Sequence, residues 1–504
     1  MSKTTNLFLN GALLRSVHLA ISVLTAFFLM PFVIHSLGDR WYGVWIIVGG
    51  LMGYYGLLDF GISSSVNRYV SIALGKRDYE EVNSILTNSV LIYSIISLIS
   101  IVISIFLIIF SYKFVSEPHD IELLRKVLLI MCFDLTISFL LKAYISVLNA
   151  KLRYDLISYV GIGQTLTKAA LIVYFIGSGY SIIALAIITF FVNISGYLLF
   201  SVIAKKIIPS LKIDITKISK AKMLEFVNYS KKTFLIQVGD MIRFKLDILV
   251  IAFFLGSALV TQYNIALQLH EYSGQLAASL IIGSLPVFAR YYSQGDYHNL
   301  REKFLLLTRY SILISVTISG AVMILAHPFI SIWMGEPYLT AIVPFLILRS
   351  LSFLGIGQNP SIQVMYAMGK HGFYARITIM EAVANLTLSL ILVQSYGMIG
   401  VALGTAIPFF VVKLFVMPPY VCRQLKLSLK KYYGEMGRLV FVAGLCHIPF
   451  FILVTYVEIN SYQGMFVSGV IYYLLYGWCL LRFLLPAADR NYLIEAVPML
   501  RKVM

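Results

Sequence analysis

The chain has 504 residues, of which 59% are hydrophobic and only 12% charged, with a mean hydropathy of +0.86. Too few polar groups are present to coat a water-soluble globule of this size, so the composition specifies an integral membrane protein. Lys and Arg number 40 against 23 Asp and Glu, a net charge of +17. In a soluble chain that charge would suggest nucleic acid; here the basic residues fall between hydrophobic runs, where they signal topology, and no nucleic-acid partner is expected.

Breaking the apolar runs at Gly, Pro and charge clusters predicts an all-α membrane fold of about fourteen transmembrane helices. In chain order they cover residues 12–35, 43–72, 84–112, 121–149, 156–177, 180–204, 233–255, 259–289, 303–330, 338–367, 373–395, 397–417, 438–458 and 463–484. The first run continues without a small-residue cleavage site, so it is expected to be a retained span and not a removed signal peptide. Cys132, Cys422, Cys446 and Cys479 lie in or beside apolar runs, without the paired spacing of a zinc site or a disulfide framework.

The connections alternate in charge. One set holds Lys76 and Arg77, Lys151 and Arg153, Lys205 through Lys232, Arg290 to Lys303, Lys370 and Arg376, Arg423 through Arg438, and the tail with Arg490, Arg501 and Lys502. The other has only Arg40 and Lys113 among Asp39, Glu117, Asp120, Glu336 and Glu458. The positive-inside rule puts the first set and both termini in the cytoplasm. The opposite loops are short and leave no room for a catalytic outer domain.

An internal repeat is visible. Leu37-Gly38 and Asp78-Tyr79 recur as Leu255-Gly256 and Asp296-Tyr297, and Gly179 with Ala184-Leu185 recurs as Gly397 with Ala402-Leu403, all at one separation of 218 residues. That separation covers six spans, an even number, so the copies have one orientation, as in parallel-repeat transporters. The expected organisation is a six-helix lobe (1–206), a basic amphipathic cytoplasmic linker (207–232), a second six-helix lobe (233–422), a basic loop (423–437), and two extra C-terminal helices with a tail (438–504). The linker mixes Ile207, Ile213, Ile215 and Ile218 with Lys212, Lys217, Lys220 and Lys222, which reads either as a segment lying on the anionic inner surface or as a solvated tether.

The stretch from Pro31 to Trp45, followed by Gly56-Leu-Leu-Asp59-Phe-Gly61 and continuing to Tyr69, resembles the first two helices of polysaccharide (Wzx-type) flippases. Asp247 through Gly256, leading into Tyr263 to Leu269, is similar to their seventh and eighth helices. These flippases belong to the multidrug/oligosaccharidyl-lipid/polysaccharide (MOP) exporter superfamily. The resemblance implies two six-helix lobes, alternating access, and a cargo of undecaprenyl-diphosphate-linked oligosaccharide repeat units. The cargo would move from the inner to the outer leaflet of the bacterial inner membrane, for O-antigen or capsule biosynthesis, beside the polymerase and chain-length proteins of that pathway. The extra helix pair resembles the one that holds the lipid tail in lipid-linked sugar flippases. Alternatives are a lipid II flippase, a drug or metabolite exporter, which would normally stop at twelve helices, and a membrane polymerase or glycosyltransferase. The last is disfavoured by the short outer loops and by the lack of a nucleophile triad, metal-ligand cluster or phosphate-binding glycine loop. A structural scaffold would leave the buried charges unexplained.

Ionisable residues deep in a span cost about 2.5–3.5 kcal/mol each unless they reach water or a partner, and so mark candidate sites. The seventh span holds Asp240, Arg243, Lys245 and Asp247; at about 100° per residue Asp240, Arg243 and Asp247 share a face. Their counterparts in the first repeat, Ser22, Thr25, Phe27 and Leu29, are uncharged, so the fold itself does not require charge there. Arg243 and Lys245, then Arg349, Lys168 and Lys142, are the expected contacts to a diphosphate or acidic sugar, because a guanidinium fork matches phosphate oxygens. Asp59, Asp134, Asp240, Asp247, Glu271, Glu381 and His270 are the expected sites of proton or sodium coupling, with structural hydrogen bonding as the competing role. Five deep cations against six deep acids give no net sign to the cavity. Lys142 and Lys413 are expected near cytoplasmic span ends, where a lysine can snorkel, and Lys413 is left out of the site. No cofactor or metal is expected beyond a coupling H+ or Na+.

Overall fold

The structure is a computed structural model that describes residues 3–113, 115, 118–279 and 284–484. Within these ranges the side chains at 3–10, 12, 113, 118, 120, 231–233, 235–236, 239–245, 278–279, 286, 371, 481 and 484 lie outside the description. All regular structure in the described residues is helical, as expected where lipid offers backbone groups no outside partner. The chain divides into two compact units, Met1–Thr261 and Gln262–Met504.

The first unit holds α1 (Lys3–Leu37), α2 (Asp39–Tyr55), α3 (Ile62–Gly75), α4 (Tyr79–Ile109), α5 (Pro118–Ala150), α6 (Tyr154–Gly177), α7 (Ile182–Ile207), α8 (Lys220–Leu255) and the first turn of α9 (Ser257–Ser279). The second holds the rest of α9, then α10 (Ser284–Ser293), α11 (Tyr297–Ile324), α12 (Ala326–Trp333), α13 (Ile342–Gly357), α14 (Asn359–Ala367), α15 (His371–Val411), α16 (Met417–Leu425), α17 (Leu429–Leu445), α18 (Ile448–Tyr456) and α19 (Tyr462–Cys479). Among the described residues ten helical stretches are long and apolar enough to cross a bilayer, and the protein is a multi-pass membrane protein. One stretch, Gly372–Leu425, contains two of the expected spans, parted where Gly397 leaves helical geometry at φ 55° and ψ −134°.

Several expected spans are broken helices among the described residues. The second stops at Tyr55, continues as a single 3-10 turn over Gly56–Asp59, and passes Phe60 and Gly61, both in the left-handed region, before α3 resumes. The tenth is split into α13 and α14 around Gln358, where Pro360 in the first turn of α14 has no N–H to continue the earlier ladder; the eighth comprises α9 and α10, with 280–283 outside the described residues.

The repeat is visible in backbone geometry as well as in letters. Gly38 and Gly256 have φ of 80° and 87°, Arg77 and Gly295 have 59° and 69°, and Gly179 and Gly397 have 86° and 55°. Asp78 caps α4 by accepting from the Glu81 amide at 2.9 Å, and Asp296 caps α11 by accepting from the Asn299 amide at 3.1 Å. Every pair keeps the 218-residue separation that joins Leu37 to Leu255. Close approach explains a further glycine: a Cβ at Gly43 on α2 would run into the backbone carbonyl of Ser257.

The segment between α7 and α8 is a bound strap. Residues 220–232, expected in the linker, belong to α8, so only 208–219 is non-helical apart from one 3-10 turn. Asn83 of α4 donates to the Ser210 carbonyl (3.0 Å) and accepts from the Lys212 amide (3.1 Å). Asn88 donates to the Lys217 carbonyl (2.9 Å) and accepts from the Ser219 amide (2.8 Å). Thr87 accepts from the Asp214 amide (3.0 Å). Asp214 turns the strap by accepting from the Thr216 hydroxyl and amide, which hold its carboxyl below the usual carboxylate range. Neither asparagine is more than 2% exposed. Asn88→Ala should therefore orphan the Ser219 amide and leave the Lys217 carbonyl only the long Ser84 hydroxyl contact at 3.5 Å, lowering stability by about 1–3 kcal/mol, read as a lower unfolding temperature and faster hydrogen exchange at Ser219.

In the second unit α17 and α19 are keyed to α11. The His447 Nδ1–H donates to the Ala443 carbonyl (2.7 Å), its Nε2 lies 3.0 Å from the Tyr472 hydroxyl, and Tyr472 donates to the Thr317 carbonyl (2.7 Å). Gly320 makes room for that imidazole, since a Cβ there would overlap it. Phe450, Tyr472 and Tyr476 bury around the contact with Ala321.

Candidate functional site

In the first unit, the break after α2 places Asp59 inside the helix packing, 5% exposed. Three donors converge on its Oδ1: the Ser63 hydroxyl at 2.9 Å, the Tyr93 hydroxyl at 2.9 Å and the Lys142 ammonium at 3.3 Å. Lys142 also stands 5.5 Å over the Phe139 ring, which stacks on Tyr93. Lys142 is thus paired from α5 to the helix break; it does not snorkel, because its partner supplies the counter-charge inside the bundle.

Eight residues earlier on α5, roughly 12 Å along the axis, Asp134 is 3% exposed and accepts from the Asn193 amide group at 2.8 Å. Lys168 of α6 lies within electrostatic reach of it. Tyr197 on α7 lies within reach of both carboxylates. One ion pair, Asp59–Lys142, and a longer-range Asp134–Lys168 interaction, with hydroxyls between them, therefore line the packing of α3 to α7.

Asp247 of α8 is buried at 4% exposed, within electrostatic reach of Tyr54 on α2. A cavity of about 290 Å3, lined by Tyr54, Tyr55, Leu58, Ile103 and Leu249 among others, lies between α2, α4 and α8. The side chains of Asp240, Arg243 and Lys245 lie outside the described residues.

In the second unit the central feature is Arg349 on α13. It is 0% exposed, and its Nε, Nη1 and Nη2 have no hydrogen-bond partner among the described residues. It lies within electrostatic reach of His270 on α9, and Nη1 is 3.7 Å from where a Cβ at Gly274 would stand, so the guanidinium packs against α9 one turn past His270. Glu381 is buried at 3% exposed on α15, whereas Glu271 is half-buried next to Tyr272.

Lys413, placed near a span end where it could snorkel, instead is 2% exposed, in a π-helical turn over Val412–Val416. Its ammonium stands 5.4 Å from the Tyr374 ring, 5.5 Å from the Phe409 ring and 3.4 Å from the Met417 sulfur. An aromatic cage replaces the solvation that snorkelling would provide, and the π-turn aims the side chain inward. The signal in the sequence was Phe409 one helical turn before the lysine; Tyr374 is too distant along the chain to be seen.

A family profile described as "Polysaccharide biosynthesis protein" matches residues 70–343, more than half of the chain. The chain is 22% identical over 470 residues to the uncharacterized membrane protein EpsK of Bacillus subtilis, covering 89% of this chain and 90% of that one. It is also 22% identical over 241 residues to the probable low-salt glycan biosynthesis flippase Agl15 of Haloferax volcanii, covering 48% and 50%. Among solved structures, lipid II flippase MurJ in an inward closed conformation superposes with a TM-score of 0.72 at 16% identity, covering 93% of this chain and 98% of that one. An inward-facing MATE multidrug transporter of the MOP superfamily gives 0.68 at 15% identity, covering 82% and 98%. The chain belongs to the polysaccharide biosynthesis protein family and carries the fold of the MOP-superfamily transporters.

Proposed function

We propose that the protein flips an undecaprenyl-diphosphate-linked oligosaccharide repeat unit from the cytoplasmic to the outer leaflet by alternating access, without covalent chemistry. The observation that carries this reading is Arg349, a guanidinium sealed inside a membrane-spanning unit with none of its nitrogens hydrogen-bonded among the described residues. Such a group is matched by a ligand that brings phosphate or carboxylate oxygens. Arg243 and Lys245 are proposed as further cargo contacts, and the Asp59–Lys142 and Asp134–Lys168 pairs as the sites where H+ or Na+ couples to access. α17 to α19, beyond the twelve spans expected of the duplicated part, favour a cargo with a lipid tail. Polymerase and chain-length proteins of the same pathway are the proposed partners, and the cytoplasmic membrane the proposed location.

The test is deletion of the gene followed by analysis of lipid-linked intermediates. Loss of surface polysaccharide is expected, with repeat units accumulating on the inner leaflet. Unchanged polysaccharide in a strain without a redundant flippase would overturn the reading, and accumulation of lipid II would reassign the cargo.

A further inference from the structure

We infer that the strap formed by residues 208–219, with the start of α8, is a docking surface for anionic phospholipid headgroups, carried rigidly by the first unit. α4 has 31 residues, about 46 Å of helix against a hydrocarbon core of about 30 Å, so its ends project beyond the core. Its first turns carry Glu80, Glu81, Asn83, Ser84, Thr87 and Asn88, and the strap crosses α4 there. The neighbouring turns hold Lys76, Arg77, Lys205 and Lys206, which the positive-inside rule assigns to the cytoplasmic leaflet, where anionic lipid is concentrated.

The strap's inward face is fully used. Its backbone is bound by the α4 side chains, Lys217 pairs with Glu80, and Lys222 pairs with Glu81 at 2.5 Å and donates to Ser84 at 2.8 Å. The outward face is of a different composition. Ile213, Ile215 and Ile218 are 47%, 76% and 42% exposed, and Leu224 and Val227 extend the fringe onto α8. Around them Lys205, Lys206, Lys212 and Lys220 are exposed and form no ion pair among the described residues. Three branched apolar side chains held outward by a fixed backbone, ringed by lysines that form no ion pair among the described residues, match an interfacial layer in which the apolar groups enter below the headgroups and each ammonium meets a phosphate. A solvated tether has no reason to spend its polar groups on α4 and turn its isoleucines out. The division of labour is specific: Lys217 and Lys222 hold the strap, and Lys205, Lys206, Lys212 and Lys220 meet the lipid.

The test uses the full-length protein in nanodiscs of phosphatidylcholine alone and of phosphatidylcholine mixed with phosphatidylglycerol. The wild-type unfolding midpoint should rise in the anionic discs, and added salt should shrink the rise. The combined Lys205→Gln, Lys206→Gln, Lys212→Gln and Lys220→Gln variant should lose that rise, and Ile215→Ser should reduce it, while their midpoints in neutral discs stay near wild type. Lys217→Gln should lower the midpoint equally in both lipids and keep the rise. The proposal is overturned by a wild type without a rise, or by a four-lysine variant that keeps it. Loss of a co-purifying protein with the lipid response intact would equally overturn it, assigning the patch to a protein partner. None of these readouts involves the cargo, so they stand apart from the transport assignment.

Discussion

Arg349→Met should stabilise the protein and cut its transport activity roughly 100-fold. The guanidinium is fully buried, with its three nitrogens unbonded among the described residues, and an unpaired buried charge carries a desolvation penalty of several kcal/mol. Methionine fills a similar length without that penalty, and replacing a buried ion by a fitting apolar group yields about 1–4 kcal/mol. Arg349→Ala would leave a void beside Gly274, so its gain should be smaller than that of Met. The effect on transport has the opposite sign. If the guanidinium makes its charge-assisted bonds only to cargo, losing about 3 kcal/mol of them lowers flipping roughly 100-fold. Arg349→Lys, a point charge in place of a fork, should fall between. Thermal unfolding in detergent and complementation of a deletion strain give the two readouts from one set of variants. A methionine variant that flips normally, or one that is destabilised and active, removes Arg349 from the site.

What could be read from the sequence was local in its physics. A glycine with positive φ and an aspartate N-cap act within a few residues, so Gly38, Gly256, Asp78 and Asp296 revealed the repeat from their letters, and the backbone repeats with them. Hydropathy follows composition and is blind to helix breaks: Gly56–Asp59 is as apolar as its surroundings, so the run 43–72 looked continuous although a 3-10 turn interrupts it. Ser219 followed by the amphipathic start of α8 was a legible cap, since its hydroxyl accepts from the Lys222 amide, but the lysines around it suggested a linker. The strap depends on side-chain-to-backbone bonds between residues more than a hundred positions apart, which no spacing rule detects. The candidate site divides in the same way. Buried charges were identifiable one at a time by their cost in lipid, but their pairings were not. Near their span ends Lys142 and Lys413 could have snorkelled, because Asp59 and Tyr374, which hold them, are remote along the chain.

Asp59 and Lys142 should show strong coupling in a double-mutant cycle, the second large effect expected. Lys142→Met leaves the Asp59 carboxylate in the bundle with only the Ser63 and Tyr93 hydroxyls and a long Ser63 amide contact, a loss of about 3 kcal/mol for a buried charge without its counter-ion. Asp59→Asn keeps the shape but strands the ammonium, whose side chain is 28% exposed against 7% for the aspartate. The lysine can draw on that residual hydration, so this loss should be smaller, about 1–2 kcal/mol. With both charges removed, part of each penalty is relieved, and the double variant should recover about 1–3 kcal/mol relative to the sum of the singles. Transport separates a stabilising pair from a coupling pair. For a purely structural pair, activity returns with stability in the double variant and still responds to an imposed pH or sodium gradient. For a coupling pair, Asp59→Asn and the double variant both remain insensitive to the gradient however stable they are, because no carboxylate is left to change state as access alternates.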